Sequence, residues 1–229
     1  MSLAPLTLYL AAHNASSQVL TYADCVVDDV PSLEAAISSF YDSLETSVRP
    51  IVYLDQWLWN GEFSPTHRVI VGHQNYAALE AFRASIGRNP APFMRAGRSF
   101  DLATDCQTDG LSILRGAWGS QDVEPIYWQV YGVATSDGAA YAEALGGLVE
   151  ARGDDFPLVT VLFENRAGIS GDTHLVGVGA ATFAGLNESL DELFASDEFA
   201  DFVDEVGADR RLTWRAQAFR MRTWAPGGN

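Results

Sequence analysis

Two strand-like stretches decide the fold: Pro50-Ile-Val-Tyr-Leu-Asp-Gln56, then Thr66-His-Arg-Val-Ile-Val-Gly72. They recur 107 residues later as Pro157-Leu-Val-Thr-Val-Leu-Phe163 and Thr173-His-Leu-Val-Gly-Val-Gly179. The offset is constant for Pro50/Pro157, Thr66/Thr173, His67/His174 and Gly72/Gly179, and it continues through Tyr76/Phe183 and Leu79/Leu186. Near the end it slips by one residue, to Trp118/Trp224. A fixed offset across two strands and a helix marks an internal repeat, so the chain reads as two copies of one unit, 1–120 and 121–229.

Within the first copy, Leu6 to Ala11 is short, apolar and β-prone, and predicts a first strand. Leu33, Ile37, Phe40, Tyr41 and Leu44 recur at helical spacing and predict a helix over 31–48. Ile51 to Trp59 and His67 to His73 predict two strands around a turn. Leu79 and Phe82 mark a helix over 76–86, and the two prolines between Gly87 and Gly97 predict an irregular stretch. Leu111 to Trp118 predicts a fourth strand.

The second copy predicts strands at 126–135, 158–165, 174–180 and 212–224. Its helices fall at 137–151, with Ser136 as N-cap, at 183–194 and at 197–206. The order β-α-β-β-α-β in each copy is a ferredoxin-like unit, which places the chain in the α+β class.

This order, with three features of the second copy, resembles the dimeric α/β-barrel superfamily. The features are Thr173-His174 opening a strand, Phe183 and Leu186 three residues apart on a helix, and Ala195-Ser-Asp-Glu-Phe-Ala-Asp-Phe202. The superfamily includes small antibiotic-biosynthesis-type monooxygenases. In its single-copy members two chains build one barrel. The resemblance therefore implies that two tandem ferredoxin-like repeats form an intramolecular α/β barrel, in a monomer (a pseudo-dimer) or a homodimer. It also implies oxidation of a small aromatic or polyketide-like compound without a cofactor. The alternative is a non-catalytic protein that binds a ligand or assembles with itself. Chlorite dismutase-like haem proteins share two such halves but need a proximal histidine, and no stretch here matches one. No cofactor is expected.

Composition removes other classes. The 14 cations are all Arg, so lysine Schiff-base chemistry and a P-loop lysine are excluded. A formal charge of −16 disfavours nucleic acid and anionic membrane surfaces. The acidity has two readings: it keeps the chain soluble and monodisperse, or it suits a salty environment that screens self-repulsion. No apolar run approaches a spanning helix, and the N-terminal stretch lacks a positive n-region. The four histidines have no zinc-site spacing. Two cysteines, Cys25 and Cys106, are too few for a disulfide framework and are expected as free thiols, in keeping with a cytoplasmic protein.

The candidate site residues follow from strand alternation. His67, Val69, Val71 and His73 share one face of their strand. His67 and His174 occupy equivalent repeat positions, as bases at a pocket rim or as anchors bonded near Thr66 and Thr173. His73 and His13 have no counterpart in the other copy. Tyr53, Asp55, Trp57 and Trp59 alternate along one face, where aromatic rings form pocket walls or core, and a carboxylate among them would be desolvated and suited to proton transfer. Arg215 on the last strand would meet a polar or anionic ligand. The expected catalytic candidates are His67, His73 and Asp55; the expected small-molecule contacts are Tyr53, Trp57, Trp59, His174 and Arg215. No nucleophile or dinucleotide motif occurs.

Overall fold

The computed structural model describes residues 18–62, 64–120, 123–153, 156–168 and 171–227. Eight strands and six helices form among them. The first half runs β1 (Val19–Val27), α1 (Val30–Ser43), β2 (Ile51–Trp59), β3 (His67–His73), α2 (Tyr76–Arg88), α3 (Pro90–Ala103) and β4 (Thr104–Gly119). The second half repeats that order with β5 (Tyr127–Thr135), α4 (Gly138–Ala151), β6 (Val159–Gly168), β7 (His174–Ala180), α5 (Phe183–Phe194), α6 (Asp197–Val206) and β8 (Arg210–Trp224).

The residues sort into two compact units. One comprises 18–113, 166–168 and 220–227; the other comprises 114–165 and 171–219. In the first unit β1 pairs antiparallel with β3 and β4, and β3 pairs with β2. In the second, β5 pairs antiparallel with β7 and β8, and β7 pairs with β6. The end of β4 belongs to the second unit and the end of β8 to the first, so the units do not follow a single cut in the chain.

Local chemistry repeats with the order. Asp29 caps α1 by accepting from the Ser32 amide, and Asp137 caps α4 by accepting from the Ala140 amide. Asn75 and Thr182 do the same for α2 and α5. Each sheet turns one face to its helices. On β2 that face carries Val52 and Leu54; on β3 it carries Val69 and Val71. The second unit's core is larger, with Leu145, Leu148, Leu158, Leu162, Leu186, Leu190 and Phe202 among its buried members.

Several expectations change. The strand predicted over Leu6–Ala11 lies outside the described residues, and the first described strand is Val19–Val27. The helix predicted to Val48 ends at Ser43, and a separate 3-10 turn covers Thr46–Val48. The stretch expected to be irregular around Pro90 and Pro92 is helix α3. Prolines in a first helical turn remove only amides that have no intrahelical partner there. Strand β4 begins at Thr104, seven residues before the predicted start. Ser136 does not cap α4; its hydroxyl bonds Asp209, and Asp137 takes the cap.

The expectation of free thiols is overturned. Cys25 and Cys106 face each other across β1 and β4, with Cα atoms 3.9 Å apart, and form a disulfide.

Candidate functional site

The residues singled out in the sequence do not converge. His67 and His174 are both buried where their strands begin. His67 Nδ1 lies 2.8 Å from Thr66 Oγ1, and His174 Nδ1 lies 2.9 Å from Thr173 Oγ1. Each threonine hydroxyl also accepts a backbone amide, from Val27 at 2.9 Å and from Thr135 at 3.0 Å. Burial holds both imidazoles below their ordinary pKa. His73 sits at the far end of β3, its ring 5.1 Å from Phe82. Burial, assisted by the Arg83 charge, pushes it down to about 4. His13 lies outside the described residues.

Asp55 is not the unpaired carboxylate expected among aromatics. Arg220 grips it with two hydrogen bonds, at 2.8 and 3.0 Å, and the guanidinium lies 3.9 Å from the Tyr53 ring centre. Trp57 is buried and donates its indole N–H to Asp24 at 3.2 Å. That carboxylate also takes two bonds of 2.7 Å from Arg68, which lies between Tyr22 and Trp57. These rings thus cover buried ion pairs. Trp59 is 60% exposed and Arg215 is exposed.

A cavity of about 810 Å³ lies elsewhere in the first unit, between the helix-facing side of the strands and helices α1, α2 and α3. Thr21 and Ala23 of β1, Val52 of β2, and Val69 and Val71 of β3 supply the strand side. Ile37, Phe40 and Tyr41 of α1, Leu79, Phe82 and Ile86 of α2, and Phe93 and Phe100 of α3 supply the helix side. Phe40 meets Phe82 and Phe93 edge-on, at 6.1 and 5.5 Å between ring centres. The charged residues of the lining, Arg83, Asp101 and Asp109, are all exposed, so charge is confined to the mouth. None of the predicted catalytic or ligand-contact residues is among the lining residues.

One polar group stands apart. Tyr41 lines the cavity and is 4% exposed, yet its hydroxyl has no hydrogen-bond partner. Burial raises its pKa, so the phenol stays protonated at neutral pH. Arg49 lies over the ring, 5.1 Å from its centre.

The matching positions in the second unit are aliphatic core. Matching the helices by their N-caps sets Phe40 and Tyr41 against Leu148 and Val149, and Arg83 against Leu190. All three counterparts are buried core residues. Gly146 on α4 admits the Trp118 indole, since a Cβ there would stand 3.0 Å from its nitrogen. Sequence periodicity read Phe40 and Tyr41, and Leu79 with Phe82, only as markers of two helices. The signal of the cavity was the mismatch between the copies at 40, 41 and 83.

Solved structures share the architecture. A candidate monooxygenase from Lactobacillus acidophilus NCFM superposes with TM-score 0.59 at 11% identity, over 92% of this chain and 97% of that one. An anthrone oxidase-like protein gives 0.55 at 10% identity, over 93% and 94%. A mutant chlorite dismutase from Candidatus Nitrospira defluvii gives 0.54 at 10% identity, over 90% and 92%. The chain shares the fold of these proteins. At these identities the likeness concerns fold alone. No protein-family model matches the chain, and no curated protein matches it in sequence. No helix among the described residues is long and apolar enough to cross a membrane. Nor do they contain a cluster of three or more metal-ligating side chains.

Proposed function

We propose that this protein binds a small, largely apolar organic molecule in the cavity of its first unit. The cavity itself carries the reading. Its volume is within the range of small-molecule sites, its walls are aliphatic and phenyl groups, and its charges stay at the mouth. An apolar molecule entering it would leave water for contacts with Phe40, Phe82, Phe93 and Phe100.

Filling the space tests this. Ala36→Trp puts an indole into the lining, at a residue 6% exposed in the present structure. Fluorene fluorescence should report binding by the native chain and at least 10-fold weaker binding by the variant, with melting temperature retained. Equal affinity for both chains would remove the cavity from the reading.

A second reading, oxidation of the bound molecule, is favoured by the names of the neighbours, a candidate monooxygenase and an anthrone oxidase-like protein. His73 would be the base, as a neutral imidazole packed on the wall residue Phe82. Oxygen uptake that depends on a bound aromatic and is lost in His73→Phe would support it. The repeated caps, element order and strand pairings support descent from a duplicated unit. The disulfide favours an oxidising compartment over the cytoplasmic location that free thiols had implied.

A further inference from the structure

We infer that this chain associates head-to-tail with further copies of itself, the cationic outer face of α2 and α3 on one copy docking against the acidic outer face of α5 and α6 on the next. The inference is independent of the cavity reading.

The two faces belong to equivalent elements of the repeat and have diverged in charge. Helices α2 and α5 begin 107 residues apart, at Tyr76 and Phe183, and so do α3 and α6, at Pro90 and Asp197. Residues 76–103 hold four arginines, Arg83, Arg88, Arg95 and Arg98, against two acids, Glu80 and Asp101. Residues 183–206 hold eight acids and no arginine. Ala81 and Ala84 of α2 stand where α5 has Glu188 and Asp191. All four arginines are exposed, and none forms an ion pair among the described residues. Arg68, Arg115, Arg152, Arg220 and Arg222, by contrast, each hold a carboxylate.

Each face also exposes apolar groups beside its charges. Met94, Arg98 and Leu102 follow at intervals of four and share one side of α3, where Met94 is 54% and Leu102 88% exposed. Phe93, Ala96 and Phe100 turn the opposite side of α3 to the cavity. On α6, Asp197, Asp201 and Asp204 share an exposed side, and Phe194 and Val203 are exposed nearby in sequence. A chain of charge −16 needs no exposed arginines for solubility. Arginine and methionine on an exposed apolar surface are instead typical of protein interfaces. The partner that fits must be acidic and partly apolar, and the chain itself carries such a surface on α5 and α6. Opposite charges would steer the two faces together and penalise like faces. Because the faces differ, each copy offers one and accepts the other, so contact is heterologous and continues into a ring or a filament.

Sedimentation of the whole chain should show species of two or more copies at about 20 mM salt and mostly single chains at about 1 M, where the screening length is about 3 Å. Arg95→Glu with Arg98→Glu should weaken association at least about 10-fold, and so should Asp201→Arg with Asp204→Arg. An equimolar mixture of the two variants should associate as the native chain does, since each then supplies a face opposite in charge to the other's. A native chain that stays single at both salt concentrations, association that survives either double substitution, or variants that stay apart when mixed would each overturn the inference. Capture of the native chain by vesicles of anionic lipid, lost in Arg95→Glu with Arg98→Glu, would assign the cationic face to a membrane and overturn it as well.

Discussion

In the second unit, Leu145, Leu148 and Val149 of α4 and Leu186, Leu190 and Leu193 of α5 are all buried members of one apolar core. The matching positions of the first unit are Ile37, Phe40, Tyr41, Leu79, Arg83 and Ile86, and they surround a cavity of about 810 Å³. Element order, caps and strand pairings are shared. The difference shows where the architecture tolerates loss of core. A repeated unit whose partner copy keeps a dense apolar core can hollow out its own and still fold, and the hollow copy then has room for a ligand. The cost would be local stability, and the first unit holds a covalent tie that the second lacks: Val133 stands where Cys25 stands, on the strand facing β7.

That contrast breaks if the tie proves dispensable. The disulfide spans 81 residues of sequence, and closing a loop of that length stabilises a fold by about 4 kcal/mol in the chain-entropy model. The paired substitution Cys25→Ser and Cys106→Ser should lower stability by about that amount. Hydrogen exchange should rise across 18–113 more than across 171–219. A uniform rise, or none, would mean the two units do not differ in this way.

Two equivalent leucines sharpen the comparison further. Leu186 is 1% exposed within the closed core, whereas Leu79 is 7% exposed and borders the cavity. Leu186→Ala should cost about 3 kcal/mol, because the surroundings cannot collapse onto the gap. Leu79→Ala should cost less than half of that, since one of its sides already faces open space. Equal losses in urea denaturation would show that the first unit packs as tightly as the second.

Acid gives the smallest effect. His67 and His73 of the first unit and His174 of the second all have pKa values lowered by burial, His73 to about 4 from an ordinary 6.5. Between those values the unfolded chain binds protons that the folded chain refuses. The stability from the neutral His73 imidazole is therefore complete above pH 6.5 and declines as pH falls toward 4, by at most about 1.4 kcal/mol per pH unit, and His67 and His174 act in the same direction. Melting temperature should fall between pH 7 and pH 5, and His73→Phe should flatten the fall. An unchanged slope in that variant would show that His73 takes up its proton while folded.

The hairpins were legible because period-2 alternation of β-branched residues is a short-range signal: 51–59, 67–73 and 174–180 match the structure to the residue. Helix α3 was obscured by Pro90 and Pro92, whose place in a first turn depends on where the helix starts. Strand β1 was obscured because Asp24 and Cys25 interrupt its apolar pattern, and both are explained by distant partners, Arg68 and Cys106. The site was less legible than the fold. Its walls come from the helix-facing sides of three helices and several strands, and on each element they look like ordinary core. The conspicuous residues Tyr53, Asp55 and Trp57 instead serve buried ion pairs with Arg220 and Arg68.

The position of the disulfide also bears on how the chain withstands proteases. Helices α1, α2 and α3 and strands β2 and β3 all lie between Cys25 and Cys106, so the helix side of the cavity and much of its strand side fall inside the loop that the bond closes. A single cut anywhere between the two cysteines would nick the pocket without releasing a fragment, and the severed pieces would remain one covalent molecule.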